Sequence, residues 1–305
     1  MKDNAGLVGV AMALVSAALY GITPLFVYHA FDYGADPFGL MTTRYVIASI
    51  ILFGVRLARI GFGKWPPLKL RIRLFLLGAI GLYINSVCMF SAMKYLDSGL
   101  AMVIYFFYPI LVVIFGWVIY RHQPPAIIWP CLLLTIIGVV LSASEVQGGQ
   151  ATGVALIVVG AFAYAIYSVF GGAIMPGADL LTGLWLVFTG AAFSFVVVWL
   201  LDPPGLPTTM PYVADVWLPA LEIATVGTIA AMGIFFAGMN RIGASKSAVI
   251  GTFEVLVSVG TGVLFLSQSL TPRQVFGAVL ILGAVLLLAQ REARSASTPT
   301  PQVHA

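Results

Sequence analysis

The sequence predicts an all-α integral membrane protein of ten transmembrane helices, arranged as two inverted five-helix repeats around a central cavity. Hydrophobic residues make up 61% of the chain and charged residues only 9%, against about 25% charged residues in an average soluble protein. A soluble domain of this length cannot hide so much apolar surface from water. The apolar runs, the distribution of positive charge and an internal repeat predict the remaining details.

Ten apolar runs are long enough to cross a bilayer, which takes roughly 20 helical residues. Five of them occupy residues 7–30, 37–58, 73–93, 99–120 and 126–143. The other five occupy residues 152–174, 180–201, 216–239, 247–267 and 273–290. We therefore predict a first repeat over residues 1–147 and a second over 148–292. The remaining 293–305, rich in Ser, Thr and Pro, are expected to form a disordered cytoplasmic tail.

The positive charges predict which side of the membrane each loop faces. Of the 15 Lys and Arg residues, 12 fall on one side of the ten predicted spans and two on the other, and Arg44 lies inside a span. Because cytoplasmic loops are enriched in Lys and Arg, we expect a multi-pass protein of a bacterial inner membrane with both termini cytoplasmic. The same charges are spread over loops and accompany no nucleic-acid-binding motif, so we expect no nucleic-acid partner.

The two halves of the chain resemble each other at a nearly constant offset. An offset of 144 residues aligns identical residues in the first span of each half, among them Gly9 with Gly153 and Tyr20 with Tyr164. An offset of 146 does the same further on, for Gly81 with Gly227 and Phe107 with Phe253. A repeat with an odd number of spans enters the membrane in the opposite sense in its second copy. Inverted repeats of this kind are typical of secondary transporters, whose substrate site lies near the midplane.

Three ionisable side chains inside the predicted spans are candidates for function, because such groups are costly in a bilayer. Arg44 and Glu222 lie at matching depth in spans two and eight. They are expected to form a structural ion pair or part of an outer gate, or Arg44 binds a substrate carboxylate. Glu254 lies roughly 12 Å into span nine at 1.5 Å per residue, close to the midplane. Its carboxylate is a candidate to bind a substrate ammonium or a coupling proton. The alternative is a protonated carboxyl that only bonds a neighbouring helix.

Polar aromatic side chains form the second set of candidates. The residues predicted to bind substrate, together with Glu254, are Tyr20, Tyr83, Asn85, Tyr105, Tyr108, Tyr164 and Tyr167. Tyrosine rings stack on other rings and attract ammonium groups, although each of these residues taken singly is more typical of generic bundle packing. Pro24 and Pro109 are predicted to bend spans one and four, because proline removes a helical hydrogen bond. We therefore expect hinges there.

The sequence contains no motif for disulfide bonding, metal binding, nucleotide binding or nucleophilic catalysis. Cys88 and Cys131 fall inside predicted spans, so a disulfide framework is not expected, and the histidines show no metal-ligand spacing. The chain has no P-loop and no nucleophile motif. We expect no catalytic residue, metal or cofactor, and partners limited to a small-molecule substrate and the lipid bilayer, with a monomer favoured. A membrane-embedded enzyme acting on lipid and a passive channel are the remaining alternatives.

Several short segments resemble one transporter family. They are Leu19-Tyr-Gly-Ile-Thr-Pro24, Thr43-Arg44-Tyr45, Tyr108-Pro109 and the segment 266–277 that leads into span ten. Over residues 7–143 and 151–290 the chain resembles the EamA-type ten-helix branch of the drug/metabolite transporter superfamily. The resemblance implies that spans one, three, four, six, eight and nine surround a central cavity, with spans five and ten outside it.

Within that branch the chain is similar to bacterial exporters of amino acids, including aromatic ones. The resemblance implies a secondary transporter that moves small amphipathic metabolites, above all amino acids, out of the cell by alternating access. Export of cationic drugs or nucleotide-derived metabolites is the alternative. Two residues depart from the family, whose members often carry Glu where this chain has Gln268 and Pro where it has Val255. Any structural role of that family Glu is therefore in question here.

Overall fold

A computed structural model of the chain describes residues 2–63, 65–121, 126–143, 150–203, 210, 214–242, 247 and 250–297. Within these ranges, seven helical stretches are long and apolar enough to cross a membrane. Three shorter apolar helices complete the ten predicted spans. Large apolar side chains such as Ile50, Leu201 and Leu264 remain exposed, as expected where helices face lipid instead of water.

The first repeat forms spans one to five. Span one is α1 (Lys2–Asp32) and span two is α2 (Pro37–Ile60). Span three consists of α3 (Leu68–Leu76), a π-helical turn (Leu77–Leu82) and α4 (Tyr83–Ala92). Span four is divided into α5 (Ser98–Tyr105) and α6 (Tyr108–Tyr120), and span five is α7 (Ile128–Ala143).

The second repeat forms spans six to ten. Spans six and seven are α8 (Gln150–Ile174) and α9 (Leu180–Leu201). Span eight consists of α10 (Ala214–Ala224), a π-helical turn (Thr225–Ala230) and α11 (Ala231–Ile242). Spans nine and ten are α12 (Phe253–Phe265) and α13 (Pro272–Ser297). Because α13 continues to Ser297, residues 293–297 of the tail predicted to be disordered are helical instead, and 298–305 lie outside the described residues.

Helix starts follow local side-chain chemistry. Asp36 accepts hydrogen bonds from the backbone N–H groups of Phe38 (2.8 Å) and Gly39 (3.1 Å) and so begins α2. Asp179 accepts from the N–H of Thr182 (2.9 Å) at the start of α9. A side-chain acceptor at this position satisfies N–H groups that have no partner inside the helix. The two helices that these caps begin pack against each other.

Helices of the first repeat pack against helices of the second. Contacts that a helix of one repeat makes are also made by the equivalent helix of the other repeat. Helix α1 packs against α10, α11 and α12, and its counterpart α8 packs against α4, α5 and α6. Helices α2 and α9 form one pair between equivalent spans, and α7 and α13 form another. These contacts of one half thus have their equivalents in the other. An approximate two-fold axis between inverted repeats produces this pattern.

Close contacts of single glycine residues are also equivalent between the two repeats. A Cβ atom added to Gly9 would lie 2.5 Å from Cγ2 of Ile242, and one added to Gly153 would lie 2.6 Å from Cγ of Leu96. Gly153 follows Gly9 by 144 residues, and Ile242 follows Leu96 by 146. These are the two offsets found in the sequence. The same glycine contact is therefore made once by each repeat.

One end of the bundle carries exposed positive charge. Arg59, Lys69 and Arg73 are exposed there, at the end of α2 and the start of span three. We call this end the basic face. The opposite face carries the connections 33–36, 93–97 and 266–271, each of which follows an odd-numbered span.

Arg56 is fully buried at the basic face, although it is one of the 12 positive charges expected in the loops and helix ends on that side. Its guanidinium donates to Oγ1 of Thr182 (2.9 Å) and to the carbonyl oxygens of Gly61 (2.8 Å) and Gly63 (3.2 Å). Its Cζ lies 3.7 Å from the centroid of the Trp65 ring. Every face of the charge is thus occupied by a dipole or a ring. Arg56 ties the connection after α2 to the start of α9.

We expect Arg56→Met to destabilise the protein strongly, because the change leaves a buried hydroxyl and two carbonyl groups without their donor. Hydrogen bonds to charged groups contribute about 1.5–3 kcal/mol each, so the expected loss is about 3 kcal/mol or more. Thermal unfolding in detergent measures it, with Arg59→Met as the control because Arg59 is exposed on the same helix. Equal melting temperatures for the two variants would show that the hydrogen bonds of the buried guanidinium do not stabilise the fold.

Candidate functional site

Two spans are interrupted halfway at equivalent positions. In span four a turn at Phe106 and Phe107 separates α5 from α6. In span nine the helical residues 250–251 are followed by a turn at Thr252 before α12 begins at Phe253. Phe253 follows Phe107 by 146 residues. Interrupted spans leave helix ends inside the membrane, and in transporters such ends surround the substrate site.

Local sequence accounts for the interruption in span four more fully than for that in span nine. Pro109 lies in the first turn of α6, where the missing N–H of proline removes no helical hydrogen bond. Proline therefore begins a new helix here, and Pro109 does not lie inside a continuous bent helix as predicted. Val255 is the equivalent residue of span nine. There the preceding Gly251 and Thr252 are the weak helix formers.

Glu254 and Tyr108 occupy equivalent places after these two interruptions. They are 146 residues apart, and each lies in the first turn of its half-helix. Tyr20 and Tyr164 are the equivalent pair of spans one and six, 144 residues apart. The Glu254 carboxyl interacts electrostatically with all three tyrosines. Two symmetry-related pairs therefore meet between the repeats.

Four tyrosines from spans four and six form a continuous aromatic surface. The ring of Tyr164 lies 4.7 Å from that of Tyr108 and 5.8 Å from that of Tyr105. Tyr167 adjoins Tyr164 at 5.6 Å. The hydroxyl of Tyr105 donates to Oδ1 of the buried Asn85 (2.9 Å), which fixes its ring. We call these four residues, Tyr105, Tyr108, Tyr164 and Tyr167, together with Tyr20 of span one, which lies near Tyr164 and Tyr167, the tyrosine cluster.

The Glu254 carboxyl has neither a hydrogen bond nor an ion pair with any residue that the structure describes. Its side chain is only partly buried. It lies in the first turn of α12, where the helix dipole favours negative charge. An ionised carboxyl away from water needs a cation beside it. The arrangement is suited to hold an ammonium group against tyrosine faces.

Arg44 is bound differently from the prediction. Its Nε–H donates to Oγ1 of Thr228 (2.9 Å) in the π-helical turn of span eight. Its Cζ lies 5.2 Å from the ring of Phe90 and 5.3 Å from that of Tyr45. Among the described residues the predicted ion pair with Glu222 is not formed. Glu222 precedes Thr228 by six residues, more than one and a half helical turns, so matching depth did not place it on the face toward α2.

Tyr83 belongs to a second aromatic group. Its ring lies 4.7 Å from that of Phe195, on which Tyr45 stacks at 5.6 Å. The hydroxyl of Tyr45 shares a 2.6 Å hydrogen bond with Ser86. Tyr45 also lies near Tyr164, at the border between the two groups. Sequence reasoning missed Tyr45, although it follows Arg44 in a segment that resembles the family.

The π-helical turns pack against spans one and six at equivalent points. A Cβ added to Gly227 would lie 2.5 Å from Oγ1 of Thr23, and one added to Gly81 would lie 3.1 Å from Cβ of Tyr167. Thr23 and Tyr167 are themselves 144 residues apart. Pro24 lies beside this contact, in the interior of α1, which is helical throughout Lys2–Asp32. Its role as a hinge stays a prediction.

Gln268 lies in the connection 266–271 at the face opposite the basic face, and its side chain caps the start of span four. Its Oε1 accepts from the backbone N–H (3.0 Å) and from the hydroxyl (2.7 Å) of Ser98 at the start of α5. An amide oxygen thus takes over the acceptor function of a carboxylate. Burial raises the pKa of the neighbouring Asp97 carboxyl, so a neutral side chain at 268 avoids placing a second charge beside it.

We expect Gln268→Ala to destabilise the protein by about 1 kcal/mol, the usual effect of removing a helix cap. Thermal unfolding in detergent measures the change. Gln290→Ala is the matched control, because Gln290 is exposed near the end of α13. If both variants melt at the same temperature, the bond between Gln268 and Ser98 does not stabilise the fold.

A helical membrane bundle with inverted repeats, and with polar side chains meeting where two spans are interrupted, defines the class of secondary transporters. The sequence profile of the EamA-like transporter family matches residues 7–144 and 151–290. The chain belongs to this family, within the drug/metabolite transporter superfamily. The resemblance found in the sequence is thereby confirmed.

Individual relatives agree with this assignment at low identity. An uncharacterized transporter of Archaeoglobus fulgidus is 24% identical over 270 residues, covering 84% of this chain and 90% of that protein. Protein PecM of Dickeya dadantii is 25% identical over 231 residues, covering 73% and 75%. An uncharacterized transporter of Synechocystis sp. is 24% identical over 211 residues, covering 68% of this chain but only 63% of that protein.

A solved crystal structure supports the fold. It aligns with 98% of this chain and 100% of its own, with a TM-score of 0.61 and 18% sequence identity. At this identity the likeness concerns the arrangement of helices and not the substrate.

Proposed function

We propose that this transporter moves small amphipathic metabolites, above all amino acids including aromatic ones, across a bacterial inner membrane by alternating access, as an exporter. The basic face and both termini lie in the cytoplasm, in agreement with the enrichment of positive charge in cytoplasmic loops. The carrier works as a monomer, without cofactor or metal. Its repeats correspond to residues 1–147 and 148–292.

The unpartnered Glu254 beside the tyrosine cluster is the observation that carries this proposal. An amino acid presents an ammonium group, which a carboxylate holds by a charge-assisted hydrogen bond. Ring faces attract the same ammonium and provide an apolar surface for an aromatic side chain. Tyr20, Tyr108 and Tyr164 all lie within electrostatic range of Glu254. An aromatic amino acid can therefore bind the Glu254 carboxylate and the tyrosine cluster at the same time.

The repeated contacts support alternating access as the transport mechanism. Because each contact of α1 has its equivalent at α8, exchanging the conformations of the two repeats produces a second packing of similar energy that opens to the other side. The interruptions before Tyr108 and Glu254, together with Pro24 and Pro109, provide places at which the spans bend. The substrate site lies at the pivot and is reached from either side in turn.

Direct binding tests the substrate class. Purified protein is mixed with labelled phenylalanine, and saturable binding that unlabelled phenylalanine displaces is expected. Tyr108→Ala should weaken this binding about tenfold, because cation–π and stacking contacts contribute on the order of 1–2 kcal/mol. Phe265→Ala is the control, since that residue is exposed on α12. Cationic drugs and nucleotide-derived metabolites are the alternative substrates. Binding of those ligands without any binding of amino acids would refute the proposal.

A further inference from the structure

Arg44 is a partly buried cation inside span two, without an acidic partner among the residues that the structure describes. Its contacts are the hydroxyl of Thr228, a 3.8 Å contact from Nη1 to the sulfur of Met41, and two ring faces. Neutral partners of this kind leave most guanidinium N–H groups without a strong acceptor, since arginine has five. A charge held inside a span without a counter-charge indicates a functional group whose partner arrives from outside.

Arg44 and Glu254 approach the same stretch of span one. The backbone of Gly21 packs on that of Glu254, with the Gly21 Cβ position 2.8 Å from the Glu254 carbonyl oxygen. Thr23 packs on Gly227, the neighbour of the Thr228 that Arg44 binds. Gly21 and Thr23 are two residues apart, so the two contacts lie at nearly the same height on α1, about 3 Å apart along its axis, but on different sides of the helix.

Around the circumference of α1, at about 100° per residue, Tyr20 lies between Gly21 and Thr23, the residues that make these two contacts. It interacts electrostatically with both Glu254 and Arg44. One negative and one positive group, neither paired within the described protein, therefore face a common tyrosine. Such a pair is neutral as a whole, but each member is unsatisfied. A ligand with both charges separated by a short chain satisfies them together.

We propose that the site selects zwitterions, with the ammonium of a free α-amino acid at Glu254 and its carboxylate at Arg44. This inference rests on the proposed function and adds the group that recognises the second end of the substrate. The planar guanidinium binds a carboxylate through two parallel hydrogen bonds. The amino-acid side chain then lies against the tyrosine cluster.

The two charges allow the site to reject both amines that lack a carboxylate and acids that lack an ammonium group. An amine without a carboxylate leaves Arg44 unpaired, and an acid without an ammonium leaves Glu254 unpaired. A site that is built to pair a substrate group rejects the analogue that lacks it, because its own buried group then has no partner. We therefore expect each analogue to bind at least tenfold more weakly than the amino acid, a conservative figure for a buried charge.

Three ligands with the same ring and chain test this inference. Phenylalanine carries both charges, phenethylamine lacks the carboxylate and 3-phenylpropionate lacks the ammonium. Their affinities are compared on purified wild-type protein and on Arg44→Gln and Glu254→Gln. We expect Arg44→Gln to remove the preference for phenylalanine over phenethylamine while keeping the preference over 3-phenylpropionate. Glu254→Gln should do the reverse.

Lys94→Gln is the control, because Lys94 is an exposed cation outside the site and its loss should leave all three affinities unchanged. Undiminished binding of phenethylamine by Arg44→Gln shows at the same time that this variant is folded. If Arg44→Gln weakens phenylalanine and phenethylamine equally, Arg44 is structural and the inference fails, while the proposed function stands. If wild-type protein binds none of the three ligands, the proposed function fails as well.

Discussion

Glu254→Gln is expected to reduce amino-acid transport about 100-fold. Glutamine keeps the size of the side chain and removes the charge. The substrate ammonium then loses the carboxylate that no protein group neutralises within the described structure. Removing one partner of a buried, hydrogen-bonded charge pair typically costs 2–5 kcal/mol, and each 1.4 kcal/mol corresponds to a factor of ten in binding.

Initial rates of labelled phenylalanine exchange in proteoliposomes measure this effect. Asp215→Asn is the matched control, since Asp215 is an exposed carboxylate at the start of α10 and its loss should leave the rate unchanged. Equal amounts of folded protein are verified by gel filtration. An exchange rate of Glu254→Gln within a factor of two of the wild-type rate would rule out this carboxylate as the ammonium site.

Gly78→Ala and Gly190→Ala are expected to disrupt the packing of span three against span seven. The Gly78 Cβ would lie 1.8 Å from the carbonyl oxygen of Val187, and that of Gly190 2.0 Å from the carbonyl oxygen of Phe75. Both obstacles are backbone atoms, so a whole helix must move to admit one methyl group. Overpacking of this kind costs about 3 kcal/mol, and each variant should melt at a much lower temperature than wild type.

Gly116→Ala is the matched control for these variants. Gly116 lies inside α6, and nothing lies within 4 Å of its Cβ position. Alanine there should be neutral or stabilising by up to about 1 kcal/mol, because it restricts the unfolded backbone. Equal yields and melting temperatures for Gly78→Ala and Gly116→Ala would contradict the close packing of α9 on span three.

Composition and spacing were sufficient to predict the bundle. Apolar runs of membrane length gave the ten spans because lipid requires every span to satisfy its own backbone. The offsets of 144 and 146 residues between the halves reappear as equivalent contacts, such as those of Gly9 and Gly153. The π-helical turns were not predicted, since no hydrophobic pattern marks them; Gly81 and Gly227 lie within them and make close contacts with spans six and one.

Side-chain partners were harder to predict than helices. Arg56 was assigned to a loop, but its acceptors are backbone carbonyls, which no residue pattern marks. Arg44 and Glu222 were paired by depth, which does not fix the direction in which a side chain points. The tyrosine cluster was anticipated because Tyr20 and Tyr164 recur between the repeats. Tyr83 was grouped with it and instead contacts Phe195.

Counterflow in proteoliposomes tests the central claim, that the protein is an alternating-access carrier of amino acids. Vesicles are loaded with a high concentration of unlabelled phenylalanine, diluted, and supplied with a trace of labelled phenylalanine outside. A carrier exchanges one for the other, so we expect a transient, saturable accumulation of label inside that protein-free vesicles do not show. A channel would only equilibrate the label. If none of labelled phenylalanine, tryptophan, methionine and threonine accumulates in such vesicles, the protein is not a carrier of amino acids.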